Sequence, residues 1–311
     1  MAISKENAIT AYKAFNSDFS CRDFQYNVGK EYYINGEVAM CKNGFHACQD
    51  LMDTFSYYPM GNSRFAIVKL WGDVLSGVDK VCASNIEIVK ELSLKDIVER
   101  YAAYKIDSLD RAFDRRIVLN EYENELCING DLNYVFSTYN NKKIITNGAE
   151  NNIVSTGKSN TIINLGYKSN ITCDGILSNL VSIASDSKII LGKKQTAVLY
   201  GNHNNIILSS DYDTVVSNGN YCLITIISNF AHCTTKGKNN KINVIGNCII
   251  DSKGANDELV LNGDNIKFRA KYGATITFAN KKIMVVNDKC ILSDTWYRYI
   301  NGNIEYCDMH M

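Results

Sequence analysis

Three cysteines and one histidine near the N-terminus have the side chains that a metal site would need. Cys21, Cys41, His46 and Cys48 supply the donor set of a Cys3His zinc centre. Their spacing is unusual for zinc, because the last three follow a C-x4-H-x-C pattern and the chain has no C-x2-C pair. Free cysteines are also common in ordinary cores. We therefore expect no metal and no cofactor, and keep these four residues as the zinc candidates.

A second group of residues points to a different chemistry. The segment NGFHAC at 43–48, followed by a helical stretch, resembles the glycine–aromatic turn and helix of ADP-ribosyltransferases. In those folds an Arg or His on the first strand binds NAD and a Glu on a late strand is catalytic. The resemblance makes His46 and Glu87 the catalytic candidates, with Glu87 placed to stabilise an oxocarbenium-like centre. The first strand offers only Lys13, which favours the alternative that His46 packs a turn and the protein is not an enzyme.

The bulk composition narrows the classes of partner. Lys plus Arg and Asp plus Glu both number 33 in 311 residues, so nothing indicates a basic surface for nucleic acid. The N-terminus lacks an apolar signal segment, and no apolar run approaches the roughly 18 residues of a spanning helix. Eleven scattered cysteines favour reduced thiols over a disulfide framework. We expect a cytoplasmic protein without a membrane or nucleic-acid partner.

A nine-residue repeat fills the second half of the chain. Stepping by nine from Glu121, with two single deletions, gives 17 units, of which 12 begin with glycine. Leaving out the irregular unit at Gly246, all 16 others have an apolar sixth residue, and the fourth is most often Asn or Ser. We assign Gly and Asn to turns that need a positive φ and the sixth residue to the interior. Two units then make one coil of about 18 residues, which predicts a β-solenoid over 121–271. The calcium-binding nonapeptide rolls need Asp at the sixth position, so this class is excluded.

The seventh position is apolar in 11 of the same 16 units. Neighbouring strand residues point to opposite faces, so these side chains should face outward. The simpler explanation is β-propensity on a solvated face. We favour a subunit interface of a homo-oligomer, formed by Ile145, Val154, Ile163, Ile190, Val198, Ile207 and Val216.

Other segments flank the repeats. Residues 93–113 predict a helix, with Ser93 as N-cap, that caps the solenoid within a 93–120 linker region. Residues 272–311 predict a small β cap with a type I′ hairpin at Asn301–Gly302. Residues 1–92 predict an α+β head with strands at 9–15, 64–72 and 85–92, a helix at 48–58 and a hairpin of KEYYI and EVAMC around Asn35–Gly36.

The head and the tail carry a second resemblance. The segments AYKAFNSDFSCRDFQYNVGKEY, MCKNGFHAC and RFAIVKLWGDV, with DTWYRYINGNIEY near the end, resemble a family of phage and prophage proteins of unassigned function. In that family the head is followed by short repeats similar to those of trimeric adhesin heads. The resemblance implies a viral or prophage origin but no chemistry. It favours a trimer as the oligomer, although a dimer would also bury the apolar row.

These observations lead to one hypothesis and two alternatives. We expect a phage-encoded, non-enzymatic interaction protein that binds and inhibits a host macromolecule, such as a defence protein, in the host cytoplasm. The alternatives are an ADP-ribosyltransferase-like effector and a structural component of the virion tail or fibre.

Overall fold

The computed structural model describes residues 2–58, 60 and 62–307. The chain divides into two compact units, Met1–Tyr104 and Lys105–Met311, which correspond to the head and the solenoid. Residues 308–311 of the predicted cap lie outside the described residues. Within the described part of the chain, no helix is long and apolar enough to span a membrane.

The head is built on a six-stranded antiparallel sheet around two long neighbouring strands. Buried residues recur at every second position in their central parts, as in Ala66, Val68 and Leu70, and this places one face of the sheet on the core. The sheet strands are β1 (Ala2–Ile3), β2 (Ile9–Phe15), β5 (Glu31–Tyr33), β6 (Phe45–Ala47), β7 (Arg64–Ser76) and β8 (Val81–Leu92). A separate pair consists of β3 (Ser20–Cys21) and β4 (Phe24–Gln25), and a 3-10 turn spans Lys5–Asn7.

The predicted hairpin around Asn35–Gly36 is wrong. Strand β5 pairs with β8, and residues 37–41 hold only an isolated bridge between Ala39 and Asn43. A type I′ turn needs a positive φ at both central residues, whereas only Gly36 has one here. Strand β5 therefore pairs with the long strand β8 and not with the segment at 37–41 that follows it in the sequence.

Both head helices are shorter than predicted. Helix α1 spans Leu51–Thr54 and is capped by Asp50, which accepts from the Met52 N–H at 2.8 Å. Helix α2 spans Leu94–Ile106, and the Asp96 N–H donates to the predicted cap Ser93. Residues 111–113, expected in this helix, form a strand instead, because the polar segment DSLD at 107–110 ends the helix. The role of α2 as a solenoid cap stays a prediction.

The second unit is a β-solenoid of about nine turns with about 18 residues per turn. Its two walls are parallel sheets, which we call wall B and wall C. Wall B contains β9 (Arg111–Phe113), β11 (Glu125–Asp131), β13 (Lys143–Asn147), β15 (Thr161–Asn164), β17 (Asn179–Ser182), β19 (Thr196–Leu199), β21 (Thr214–Ser217), β23 (His232–Thr235), β25 (Ile249–Ser252) and β27 (Ile266–Ala270). Wall C contains β10 (Arg116–Val118), β12 (Tyr134–Ser137), β14 (Asn152–Ser155), β16 (Asn170–Cys173), β18 (Lys188–Leu191), β20 (Asn205–Leu208), β22 (Leu223–Ile226), β24 (Lys241–Val244), β26 (Glu258–Leu261) and β28 (Thr275–Phe278).

The predicted repeat register is confirmed by the core. Sixth-position residues such as Ile162 on β15 and Ile206 on β20 are fully buried in one continuous apolar cluster. Residues 18 apart in the sequence, such as Ile144 and Ile162, are paired between neighbouring strands, so that equivalent repeat positions stack on one another. Each coil thus covers the apolar face of the next, which is why the array is stable only as a stack.

Most glycines that open the repeats have a different role from the predicted positive φ, which Gly130 and Gly148 do adopt. At Gly157 a Cβ would lie 1.9 Å from the Tyr139 carbonyl oxygen of the preceding coil, so glycine is needed for the close approach of two backbones. Positive φ recurs on the third residue of the unit, as in Lys168 and Phe230. Hydrogen bonds between coils hold this conformation, for example from the Lys168 N–H to the Ser185 carbonyl at 2.9 Å.

The fourth residue forms a buried ladder between coils. The Asn133 N–H donates to Asn151 Oδ1 at 2.9 Å, and the Asn160 N–H donates to Ser178 Oγ at 3.1 Å, each 18 residues ahead. These amides and hydroxyls are buried and satisfy turn N–H groups that water cannot reach. The Asn and Ser preference at this position therefore reflects satisfaction of buried backbone donors.

The C-terminal strands close the stack as predicted. Strand β29 (Ile283–Val285) pairs antiparallel with β28, and β30 (Tyr297–Ile300) pairs with β27 and with β31 (Asn303–Tyr306). Asn301 and Gly302 both have positive φ, which confirms the type I′ hairpin. The antiparallel strands cover the open edges of the walls and protect them from pairing with other chains.

Candidate functional site

The head contains a cleft of about 660 Å³ that is lined by residues from β2, from the loops around β3 and β6, and from the segment after α1. This volume lies in the range of small-molecule binding sites. Four of the residues singled out in the sequence line it, namely Cys21, Cys41, His46 and Cys48. The four residues therefore lie around one cleft, although they are separated by up to 27 positions in the sequence.

Lys13 forms part of the cleft wall and is almost fully buried. Its Nζ donates to the His46 carbonyl oxygen at 2.9 Å and lies 3.6 Å from Cys21 Sγ. The ammonium also lies 5.4 Å from the ring centroids of Phe15 and Tyr26. Burial lowers the pKa of Lys13 from its usual value, since the charged form loses its hydration.

His46 on β6 is held in a neutral form. Its Nε2 accepts the Cys41 N–H at 2.9 Å, so the ring proton resides on Nδ1. Burial lowers the pKa of His46, and the nearby Lys13, Arg22 and Lys80 lower it further. This hydrogen bond ties the His46 ring to the loop that contains Cys41.

The cysteines of the proposed zinc set make other contacts. The Tyr58 hydroxyl donates to Cys21 Sγ at 2.9 Å. Burial raises the pKa of the Cys48 thiol to about 12, which disfavours the thiolate that zinc requires. Within the described residues, no group of three or more His, Cys, Asp or Glu side chains is arranged to hold a metal ion.

The two catalytic candidates are not brought together. His46 pairs with Cys82 on β8, whereas Glu87 lies five residues further along that strand, roughly 16 Å away. Glu87 is not among the cleft residues, and Asp23 is the only carboxylate that lines the described cleft. The cleft therefore lacks the Glu beside His46 that the transferase alternative needs.

The cleft also contains residues that the sequence did not single out. Arg22, the adjacent Tyr57 and Tyr58, and Lys80 reach it from three separate segments of the head. No spacing in the sequence relates these positions, because their proximity is created by the sheet and its loops.

The seven residues predicted as an oligomer interface do not form a single row. Because each coil contains two units, successive seventh positions alternate between the two walls. Ile145, Ile163, Val198 and Val216 lie on wall B and are buried. The other three, Val154, Ile190 and Ile207, lie on wall C and are half-buried. Only these three remain available for contacts with another subunit.

A patch of apolar side chains lies on the solenoid edge where the chain passes from wall C to wall B. Tyr212, Ile227, Phe230 and Ile245 come from three successive turns, and each is between 51% and 55% exposed. The rings of Tyr212 and Phe230 stack with centroids 5.1 Å apart. We call these four residues the edge patch. The sequence analysis missed it, because the third and ninth repeat positions vary from unit to unit.

Comparison with known proteins gives one match. Residues 9–100 match the model of a domain of unknown function (DUF7666), which covers most of the head from β2 into α2. No curated protein and no solved structure matches the chain. The head is thus similar to a recognised domain family to which no activity is attached.

Proposed function

We propose that the chain is a non-enzymatic interaction protein and that the edge patch is its binding surface for a host protein. The main support for this proposal is that four large apolar side chains are about half exposed on neighbouring turns of the solenoid. Backbone hydrogen bonds between the coils fix the turns that present them. Exposed apolar clusters of this kind mark protein-binding sites, and preordered aromatic residues are favoured anchors. A phage origin, action in the host cytoplasm and inhibition of a defence protein belong to this proposal and rest on the sequence resemblance.

The geometry of the head supports the non-enzymatic part of the proposal. A transferase of the kind considered would need a carboxylate next to the substrate, whereas Glu87 lies outside the cleft. His46 Nε2 is already engaged by a backbone donor. Both features favour binding over catalysis.

The edge patch is tested by a double variant, Ile227→Lys and Phe230→Lys. The third repeat position already holds a lysine at Lys194 on the same edge, so the fold should tolerate the change at Phe230. We expect the wild-type chain to retain a host protein in affinity capture and the double variant to lose at least about tenfold in affinity for it, since hot-spot residues contribute about 2 kcal/mol or more.

The matched control is Tyr221→Lys at the third position on the opposite edge, which should leave binding unchanged. Equal loss in both variants would contradict a role specific to the edge patch. The virion alternative predicts that the chain is present in purified particles, and that result would replace the proposal.

We further propose a homo-oligomer, with a trimer favoured by the adhesin-like repeats. Light scattering should give about three times the chain mass of 34.8 kDa. The variant Val154→Lys with Ile207→Lys places charges in the half-buried seventh positions of wall C and should dissociate the assembly. The Tyr221→Lys variant should keep the wild-type mass. A monomeric wild type would remove the oligomer from the proposal.

A further inference from the structure

The cleft of the head is basic in a chain that is neutral as a whole. Its lining includes the four basic residues Lys13, Arg22, Lys42 and Lys80, but only the one acidic residue Asp23. The complete chain has 33 residues of each sign, so this excess is a local feature. Lys80 has an ion-pair partner in Asp79, at 4.0 Å, whereas neither Arg22 nor Lys42 forms an ion pair with any part of the chain that the structure describes.

Three of the four positive groups lie near His46 in the wall of the cleft. Lys13, Arg22 and Lys80 all act electrostatically on the His46 ring, which itself stays neutral. Clustering like charges around partly buried groups raises the free energy of the empty site, and an anion would relieve this cost. Arg22 has φ +54°, a left-handed conformation that its loop maintains at some conformational cost.

Aromatic rings stand beside these charges. Phe24, Tyr33 and Tyr57 line the same cleft and are each well exposed. The Lys80 ammonium lies 4.6 Å from the centroid of Tyr57, so a ring and a cation occupy one corner of the cleft. Exposed aromatic faces stack planar bases, and neighbouring Arg and Lys side chains bind phosphate oxygens.

We propose that the head cleft binds a nucleoside phosphate. The phosphate would contact Arg22, Lys42 and Lys80, and the base would stack on the exposed rings. The volume of about 660 Å³ accommodates a mononucleotide together with ordered water. This binding is non-covalent and independent of the edge patch, which lies on the solenoid.

The test is calorimetric titration of the full chain with AMP, ATP, adenosine and inorganic phosphate. AMP or ATP should bind saturably, and adenosine and inorganic phosphate should each bind at least about tenfold more weakly, since each offers only one of the two contacts. Affinity for the nucleotide should fall as salt rises from about 50 mM to about 500 mM. Equal binding of inorganic phosphate and nucleotide would overturn the proposal, and so would the absence of nucleotide binding.

Two sets of variants separate the cleft from general charge effects. Arg22→Gln with Lys42→Gln should weaken nucleotide binding at least about tenfold, because both exposed side chains line the cleft. Lys69→Gln with Lys90→Gln removes the same charge from β7 and β8 outside the cleft and should leave binding unchanged. Phe24→Leu should weaken AMP and spare inorganic phosphate. Equal effects of the two double variants would show that nucleotides respond only to net charge, which overturns the site.

Discussion

Replacing Ile162 with Asp is expected to lower the stability of the solenoid by more than about 4 kcal/mol. Ile162 on β15 is fully buried and stacks between Ile144 and Leu180 of the adjoining coils. An aspartate there would lose the apolar contacts and place a carboxyl group where no hydrogen-bond partner is available. The change should appear as a large drop in melting temperature, measured by circular dichroism of the β signal.

The control for this prediction is Asn170→Asp on β16. Asn170 is an exposed strand residue that faces outward on wall C, so a new carboxylate there stays hydrated. Its effect should remain within about 0.5 kcal/mol. If Ile162→Asp melted like Asn170→Asp, the sixth repeat position would not face the core.

Replacing Asp213 with Asn is expected to stabilise the protein at alkaline pH. Asp213 occupies the buried fourth-position ladder, where Oδ1 accepts the Gln195 N–H at 3.0 Å and Oδ2 has no partner in the described structure. Burial raises the pKa of Asp213 from 3.8 to about 7. The folded state therefore holds the proton more tightly than the unfolded state, and stability falls as pH rises from about 4 to about 7.

Asparagine cannot ionise, but its side chain keeps an acceptor oxygen. The hydrogen bond from the Asn133 N–H to Asn151 Oδ1 shows that an asparagine fits this ladder. We expect Asp213→Asn to gain up to about 4 kcal/mol at pH 8, from about three pKa units, and to change little near pH 4. Urea unfolding at both pH values measures the difference. A gain that is the same at both would show that Asp213 does not titrate in this window.

Asp257 gives the matched control on the opposite edge. Its carboxylate also lies in the ladder, but it accepts from the Asn240 N–H and from the Thr235 and Ser252 hydroxyls. Asp257→Asn should therefore destabilise the solenoid at pH 8, because it replaces charge-assisted hydrogen bonds with weaker ones. At pH 8 the stability should therefore rise in Asp213→Asn and fall in Asp257→Asn. This difference would show that the effect depends on the hydrogen bonds each carboxylate accepts and not on the loss of a charge in general.

The solenoid was predictable from sequence because one period controls both turns and core. The apolar sixth position alone sets the register, as Ile162 and Ile206 show. The cause of the glycine pattern was not predictable, since the contact that excludes a Cβ at Gly157 comes from Tyr139 in another coil. The apolar seventh positions are divided between the two walls because each coil contains two units. This division could have been inferred from the number of units per coil.

The head was harder to predict because its contacts are non-local. The Asn35–Gly36 dipeptide has the composition of a hairpin turn, but pairing of β5 with β8 prevailed over it. The cleft combines Lys13 with Tyr58 and Lys80, which are far apart in sequence. The sequence motif identified His46 as a candidate and suggested Glu87 as its catalytic partner. In the structure, Glu87 lies five residues further along β8 than Cys82, with which His46 pairs.

The two-unit coil also constrains how such a gene can change in length. A deletion of 18 residues removes one complete turn and returns every later side chain to its former edge. A deletion of nine residues keeps each sixth residue inside but moves every later turn residue to the opposite edge. The stacked pair Tyr212 and Phe230 would then exchange edges with the stacked pair His203 and Tyr221. Length variants that preserve a binding surface should therefore differ by whole turns of 18 residues, whereas odd numbers of nonapeptides would preserve folding and relocate the surface.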